Sequence, residues 1–455
     1  MKPLDPEQER LVCECLVDAC GKVVMAYKES ELFEIDAENQ CSENLEVYDW
    51  EDDTCITLPY TKSKERHKMN KFEAYALKED PFDIFSYDHK MADREEEWKR
   101  ITSCLVSAFE GRGPTYFVLL GDYGMGKTYM LEQVYNWLSE SKERDGVLVV
   151  YGKSDVLYER RVALMESEPK WSKFGLDLVT RIFDNIDRAK MLEVLRKTSL
   201  KDFQSKFLKV FEALKEEKEI GFKYITGQKL GAKDLQQLGV NSAITDSPTS
   251  LALFFDFLRI INPAGYNNFL ILVDEFEYLA TQSDMRIMQI LNTFRNIFDD
   301  FGDYSKSYNG KLAKPHFMFA TSPGGWERLT ELEAALTKKV GGAGIVPFMR
   351  RLNKRNIITL EAFTSEKTIE LVATRISEVR TKEVKDSLFP FTRQAVEHVH
   401  SVSLNRPGNV IQYCGILLQD AVDLNLQKID VADAKKILEK YGISSTEPKG
   451  VERSS

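Results

Sequence analysis

The stretch Gly121-Asp122-Tyr123-Gly124-Met125-Gly126-Lys127-Thr128 constrains this chain more than any other. It follows the apolar run Thr115 to Leu120 and precedes a helix-like run that begins Tyr129-Met130-Leu131. The spacing is that of a phosphate-binding P-loop. Its glycines let the backbone turn tightly with N–H groups aimed inward, and the helix that follows adds the positive end of its dipole. In such a loop Lys127 reaches the terminal phosphates of a nucleotide and the Thr128 hydroxyl sits on a magnesium ion. Gly121 through Tyr129 are therefore the expected nucleotide-binding residues.

A second stretch completes the pattern. Asn268 to Val273 is apolar almost without interruption, as in a strand buried on both faces, and it runs into Asp274-Glu275-Phe276-Glu277. Carboxylates at the C-terminal end of a strand fall at the edge where open α/β sheets bind ligands. Asp274 is the expected magnesium ligand and Glu275 the expected acceptor of a proton from an attacking water. A third apolar strand, His316 to Ala320, ends in Thr321-Ser322-Pro323, whose hydroxyls are candidates for orienting that water or sensing the terminal phosphate. A further strand, Asn356 to Leu360, is preceded by Arg350 and Arg351.

At 455 residues the chain is too long for one ordinary core, and two or three domains are expected. No apolar run approaches the ~20 residues of a membrane helix, and the first residues, Met1-Lys2-Pro3-Leu4, form no signal segment. A cytoplasmic protein without membrane association is the expectation. The net charge of −10 is uneven: residues 1–60 hold 16 Asp/Glu against 4 Lys/Arg, a balance of −12 that leaves the remainder near +2. The acidic total therefore does not exclude local basic patches elsewhere. Five of the seven cysteines, Cys13, Cys15, Cys20, Cys41 and Cys55, lie in the acidic region. They lack the paired knuckles of a zinc site, so ordinary reduced thiols are expected there.

Short alternating runs before residue 75 suggest a small strand-rich N-terminal appendage. Residues 80–362 read as the nucleotide-binding α/β domain, with a helical insertion over about 155–260. Within it Lys197, Lys201, Lys206, Lys209 and Lys215 alternate with glutamates, which reads first as a solvated face and second as a DNA contact. Gly341 to Gly344 reads as a loop, residues 363–445 as a helical lid and 446–455 as a frayed tail.

The order of these motifs resembles that of the AAA+ ATPases, and most nearly the branch of origin-recognition initiators and transposition ATPases. Tyr224-Ile225-Thr226-Gly227-Gln228, Leu235 to Val240 and Ala264-Gly265-Tyr266 are similar to segments of the ATP-binding proteins of phage-exclusion (BREX) loci. The resemblance implies a five-stranded parallel sheet with the P-loop strand central and a helical lid over ATP. It also implies homo-oligomeric assembly with the site between subunits. It makes Arg406 the lid's sensor arginine, although Asn405-Arg406-Pro407-Gly408 departs from the usual Gly-x-Pro-Arg order, and makes Arg350 or Arg351 the arginine offered to a neighbour's ATP. Replication initiators carry a winged-helix domain after the lid, for which this chain has no corresponding segment, so initiator function is not expected. Asn353-Lys354-Arg355-Asn356 is no guanine signature, which favours ATP over GTP. Two functions remain open: an ATP-hydrolysing protein working on or beside double-stranded DNA, and an ATP-dependent switch that binds a protein partner through its N-terminal region.

Overall fold

The computed structural model describes residues 71–83, 94–140, 146–153, 174–199, 201, 203–339 and 348–444, together with the backbone of five short strands between 16 and 59. The N-terminal cysteines, the Gly341–Gly344 loop and the tail lie outside the described residues, apart from the backbone of Cys55. The chain divides into two units, Met1–Glu73 and Ala74–Ser455. In the first, Leu16–Val17, Val23–Lys28, Glu31–Ile35, Asn44–Asp49 and Thr54–Pro59 (β1 to β5) form an antiparallel meander in chain order.

The second unit is built on a parallel sheet of Thr115–Leu120 (β6), Val147–Lys153 (β7), Asn268–Asp274 (β8), Lys314–Thr321 (β9) and Ile357–Thr359 (β10). The strand order is β10-β6-β9-β8-β7. This is the P-loop α/β architecture that the motifs imply, with one difference. The P-loop strand β6 is not the middle strand; β9 is, and β9 separates β6 from the acidic strand β8. All seven residues of β8 are buried, as the unbroken apolar run requires.

Alternation along the strands divides the core between two faces. Phe117, Leu119, Leu270, Leu272 and Met318 face Glu95–Glu110 (α1) and Lys127–Glu140 (α2). Three acids, Glu95, Glu96 and Glu97, lie in the first turn of α1, where they meet the positive end of its dipole. On the other face Tyr116, Phe269, Phe317 and Phe319 join an aromatic cluster with Phe294 and Phe276, whose ring centroids lie 4.3 Å (Phe276–Phe319) to 6.2 Å (Phe276–Phe294) from their neighbours.

Among the described residues six helices stand between β7 and β8: Phe174–Asn185 (α3), Arg188–Lys197 (α4), Leu208–Lys215 (α5), Glu219–Ile225 (α6), Ala232–Gln237 (α7) and Ser247–Ile261 (α8). Their apolar faces continue the aromatic side of the core. Lys197 pairs with Glu193 and Lys223 with Glu219 at i,i+4, the arrangement of a solvated helix face. Asp284–Ser307 (α9) follows β8, and Pro323–Lys339 (α10) follows β9.

The lid consists of Ser365–Glu378 (α11), Arg393–Val402 (α12), Pro407–Asp423 (α13) and Val431–Lys440 (α14). Side chains of Thr364, Thr392 and Asp430 cap three of these helices by accepting from backbone N–H groups of their first turns. α13 instead starts with Pro407 at its first position, where a missing N–H costs nothing.

Candidate functional site

The end of β6 hands the chain to the P-loop and the P-loop hands it to α2. Gly124 and Gly126 hold φ of +79° and +86°, a region that disfavours any side chain. Lys127 begins α2, is 9% exposed, and donates through Nζ to the carbonyls of Gly121 at 2.8 Å and Asp122 at 3.2 Å. One residue on, Thr128 Oγ1 donates to Asp274 Oδ2 at 2.7 Å. The two sequence motifs, 146 residues apart, thus meet in one hydrogen bond.

Asp274 is 1% exposed and fully engaged. Its Oδ2 also accepts from the Tyr151 hydroxyl at 2.9 Å, and its Oδ1 accepts from Glu275 N–H at 2.8 Å. Glu275 adopts a left-handed conformation, φ 54° and ψ 35°, which swings the chain sharply from β8 into the turn Phe276–Thr281. A non-glycine residue held there stores strain of about 1–3 kcal/mol, and such outliers concentrate at functional sites. Burial, reinforced by the charge of Asp274, raises the carboxyl pKa of Glu132 on α2.

These elements enclose a cavity of about 630 Å³, within the range of small-molecule sites. Its walls include Tyr123, Gly124, Met125, Gly126, Lys127, Thr128 and Tyr129 from the loop and α2, and Asp274 and Glu275 from β8. Phe363, Leu371, Arg375, Gly408 and Ile411 close it from the lid side. Gly121 and Asp122 take part through their carbonyls, as partners of Lys127. Thr321, Ser322, Arg350, Arg351 and Arg406 do not line it. Thr321 is buried and its carbonyl accepts from Gly121 N–H, while Ser322 Oγ accepts from Gly325 N–H at the start of α10. Arg351 makes a bidentate pair with Asp299 of α9, whereas Arg350 is exposed. Arg406 lies over the P-loop with Nη2 3.8 Å from Asp122 Oδ2.

The lid touches the P-loop backbone directly. Gly408 N–H donates to the Gly124 carbonyl at 2.8 Å, and a Cβ at Gly408 would lie 3.1 Å from Gly124 Cα. On the loop's inner side Arg94, 5% exposed, donates to Met125 O at 3.1 Å, Glu361 O at 2.7 Å and Glu97 Oε1 at 2.6 Å. Its guanidinium stacks 4.6 Å above the Phe363 ring. Arg94, Tyr151, Glu277 and Arg375 are the site residues that sequence spacing did not single out for function. Glu277 lines the cavity, and its Oε2 is buried with no hydrogen-bond partner among the described residues. The one available signal was its place two residues after Glu275 in the acidic strand end.

The donor set fits magnesium. That ion takes one or two protein oxygens plus phosphates rather than a cage of carboxylates. Thr128 and Asp274 offer such a pair, and no group of three or more His, Cys, Asp or Glu placed to hold a metal occurs among the described residues.

Comparison with known proteins gives three kinds of result. No curated protein matches the chain. Solved structures with a related course include Drosophila ORC bound to DNA (12% identity, 85% of this chain and 69% of that one, TM-score 0.44). Others are the Aeropyrum pernix ORC1 protein in complex with DNA (10%, 82% and 69%, 0.43) and Cdc6p from Pyrobaculum aerophilum (10%, 79% and 70%, 0.44). At such scores they carry no argument about function. The family model of BREX system ATP-binding protein BrxC/D matches residues 181–444, which is more than half of the chain and takes in most of the insertion, Asp274-Glu275 and the lid. The P-loop precedes that segment and is supported by its own geometry. The chain belongs to the BREX system ATP-binding protein BrxC/D family.

Proposed function

We propose that this protein binds ATP with magnesium in the cavity between the P-loop, the end of β8 and the lid, and hydrolyses it to drive a step of DNA-associated phage defence. The observation that carries the reading is the 2.7 Å hydrogen bond from Thr128, at the start of α2, to Asp274, at the end of β8, the two residues proposed as metal ligands. Lys127 lies beside them to neutralise charge on the transferred phosphoryl group. Glu275 is the proposed acceptor of the proton from an attacking water, a reading supported by its position at the cavity wall one residue beyond Asp274. Magnesium held by Thr128 and Asp274 would supply Lewis-acid stabilisation of phosphate charge. Lid residues shield the nucleotide from bulk water.

Family membership supports ATP as the nucleotide. Hydrolysis, the shared site between subunits and the DNA connection belong to this proposal. Arg350 is its candidate for the arginine offered to a neighbouring subunit, because Arg351 is engaged by Asp299. Lys127→Ala should abolish ATP binding, and Glu275→Gln should keep binding while turnover stops. Equal hydrolysis by wild type and Glu275→Gln would remove Glu275 from its role. The ATPase rate, measured across protein concentrations with and without double-stranded DNA, tests the rest. A rate strictly proportional to protein and indifferent to DNA would favour an ATP-dependent switch acting on a protein partner.

A further inference from the structure

The lid helix α11 carries a buried cation with unmet hydrogen-bonding capacity. Arg375 is 5% exposed, and its Nε and Nη1 have no hydrogen-bond partner among the described residues. Such a guanidinium is costly in an interior unless something that accepts hydrogen bonds is brought to it. Here the cavity itself supplies the place, because Arg375 is part of its wall. Burial lowers the pKa to about 10, opposed by the nearby charges of Glu378 on the same helix and Asp83 on the chain before α1, so the group stays protonated at neutral pH.

Its surroundings identify the end of the cavity involved. The phosphate end is marked by Gly126, Lys127, Thr128 and Asp274. Arg375 shares the lid wall with Leu371, one turn earlier on α11, and with Ile411 on α13. Apolar walls suit the flat faces of a nucleobase and are poor hosts for phosphate. A base and its ribose also present ring nitrogens and oxygens that accept from N–H groups. We propose that Arg375 is the lid's contact to the nucleoside half of the bound nucleotide, donating from Nε and Nη1. Nucleotide binding then removes an existing cost from the lid and favours its closed position. The inference rests on the cavity being the nucleotide site.

The test uses full-length Arg375→Met, which keeps the apolar stem and removes the donors, with Arg375→Lys and Lys127→Ala alongside. Melting temperature without nucleotide is measured first, followed by affinities for ATP, ADP and inorganic tripolyphosphate. Arg375→Met should melt at or above the wild-type temperature, because it removes an unsatisfied group. It should lose about a hundredfold or more in affinity for ATP and ADP by a common factor, as expected for two hydrogen bonds from a charged donor, and keep its affinity for tripolyphosphate. Arg375→Lys should fall between.

A lower melting temperature with unchanged ATP affinity would make Arg375 structural and overturn the inference. An equal loss for tripolyphosphate would move the contact to the phosphates and overturn it as well. If Lys127→Ala loses ATP while Arg375→Met does not, this inference fails alone. If neither variant loses ATP, the nucleotide-site reading has failed with it.

Discussion

Arg94→Met offers the sharpest check on how the P-loop is supported. The substitution keeps an apolar stem but deletes the guanidinium that stacks on Phe363 and donates to Glu97, Glu361 O and Met125 O at 2.6, 2.7 and 3.1 Å. The largest consequence falls on Glu97, whose side chain is 12% exposed and would be left as a charge without its buried partner. Breaking a buried pair from one side costs about 3–5 kcal/mol. Each carbonyl left without a donor adds up to about 1–3 kcal/mol where water cannot enter, and less where it can. The contributions overlap, so a net loss of about 4 kcal/mol is the expectation, a large part of the ~5–15 kcal/mol that holds a domain folded. Adding Glu97→Gln removes the stranded charge and should restore about half of the loss. It cannot replace the anchor on Met125 O, so ATP affinity should stay reduced in the double variant. Urea unfolding followed by tryptophan fluorescence suits the region, since Trp98 and Trp137 lie 5.6 Å apart between α1 and α2. Arg94→Met within about 1 kcal/mol of wild type, or a double variant no more stable than the single, would refute the reasoning.

Three further outcomes are expected. Gly408→Ala places a methyl group 3.1 Å from the Gly124 backbone, which cannot rotate away, so ATP affinity should fall by about 1–3 kcal/mol despite the better helix propensity of alanine, measured by calorimetric titration. Asp256 on α8 is buried, accepts from the Tyr308 hydroxyl and has its pKa raised by burial from 3.8 to about 7. The folded state therefore holds this proton more tightly than the unfolded state, and stability from this group is complete below pH 4 and lost as pH rises to about 7. Unfolding free energies of Asp256→Asn and wild type should accordingly diverge across that interval and run parallel above it. Arg350→Ala should lower the ATPase rate most at high protein concentration without changing the melting temperature. Arg351→Ala should lower the melting temperature through the lost Asp299 pair, and a reversed pattern would exchange their roles.

Much of the fold was legible because the relevant physics is local. The runs 115–120 and 268–274 are apolar nearly throughout, and only a strand covered on both faces suits them. The P-loop and the Asp274-Glu275 strand end stand out in the sequence because such motifs fix residue types at short spacing, and the structure brings them together through Thr128 and Asp274. What escaped depends on distant contact. Arg94 reads as one more charge at an acidic helix start until Met125 and Glu361 are seen beside it. Arg375 falls within an ordinary amphipathic helix, and only burial separates it from a surface arginine. The placing of β6 beside β10 instead of at the centre was likewise invisible, since strand order is set by crossovers and not by any strand's composition.

The intervening position of β9 has a dimensional consequence. Neighbouring strands stand roughly 4.8 Å apart, so the strand bearing the lysine loop and the strand bearing the acids are held roughly 10 Å from each other. Across that separation the two motifs meet through side chains, Thr128 Oγ1 donating to Asp274 Oδ2, and not through paired backbones. β9, which ends at Thr321, is the spacer that sets this separation.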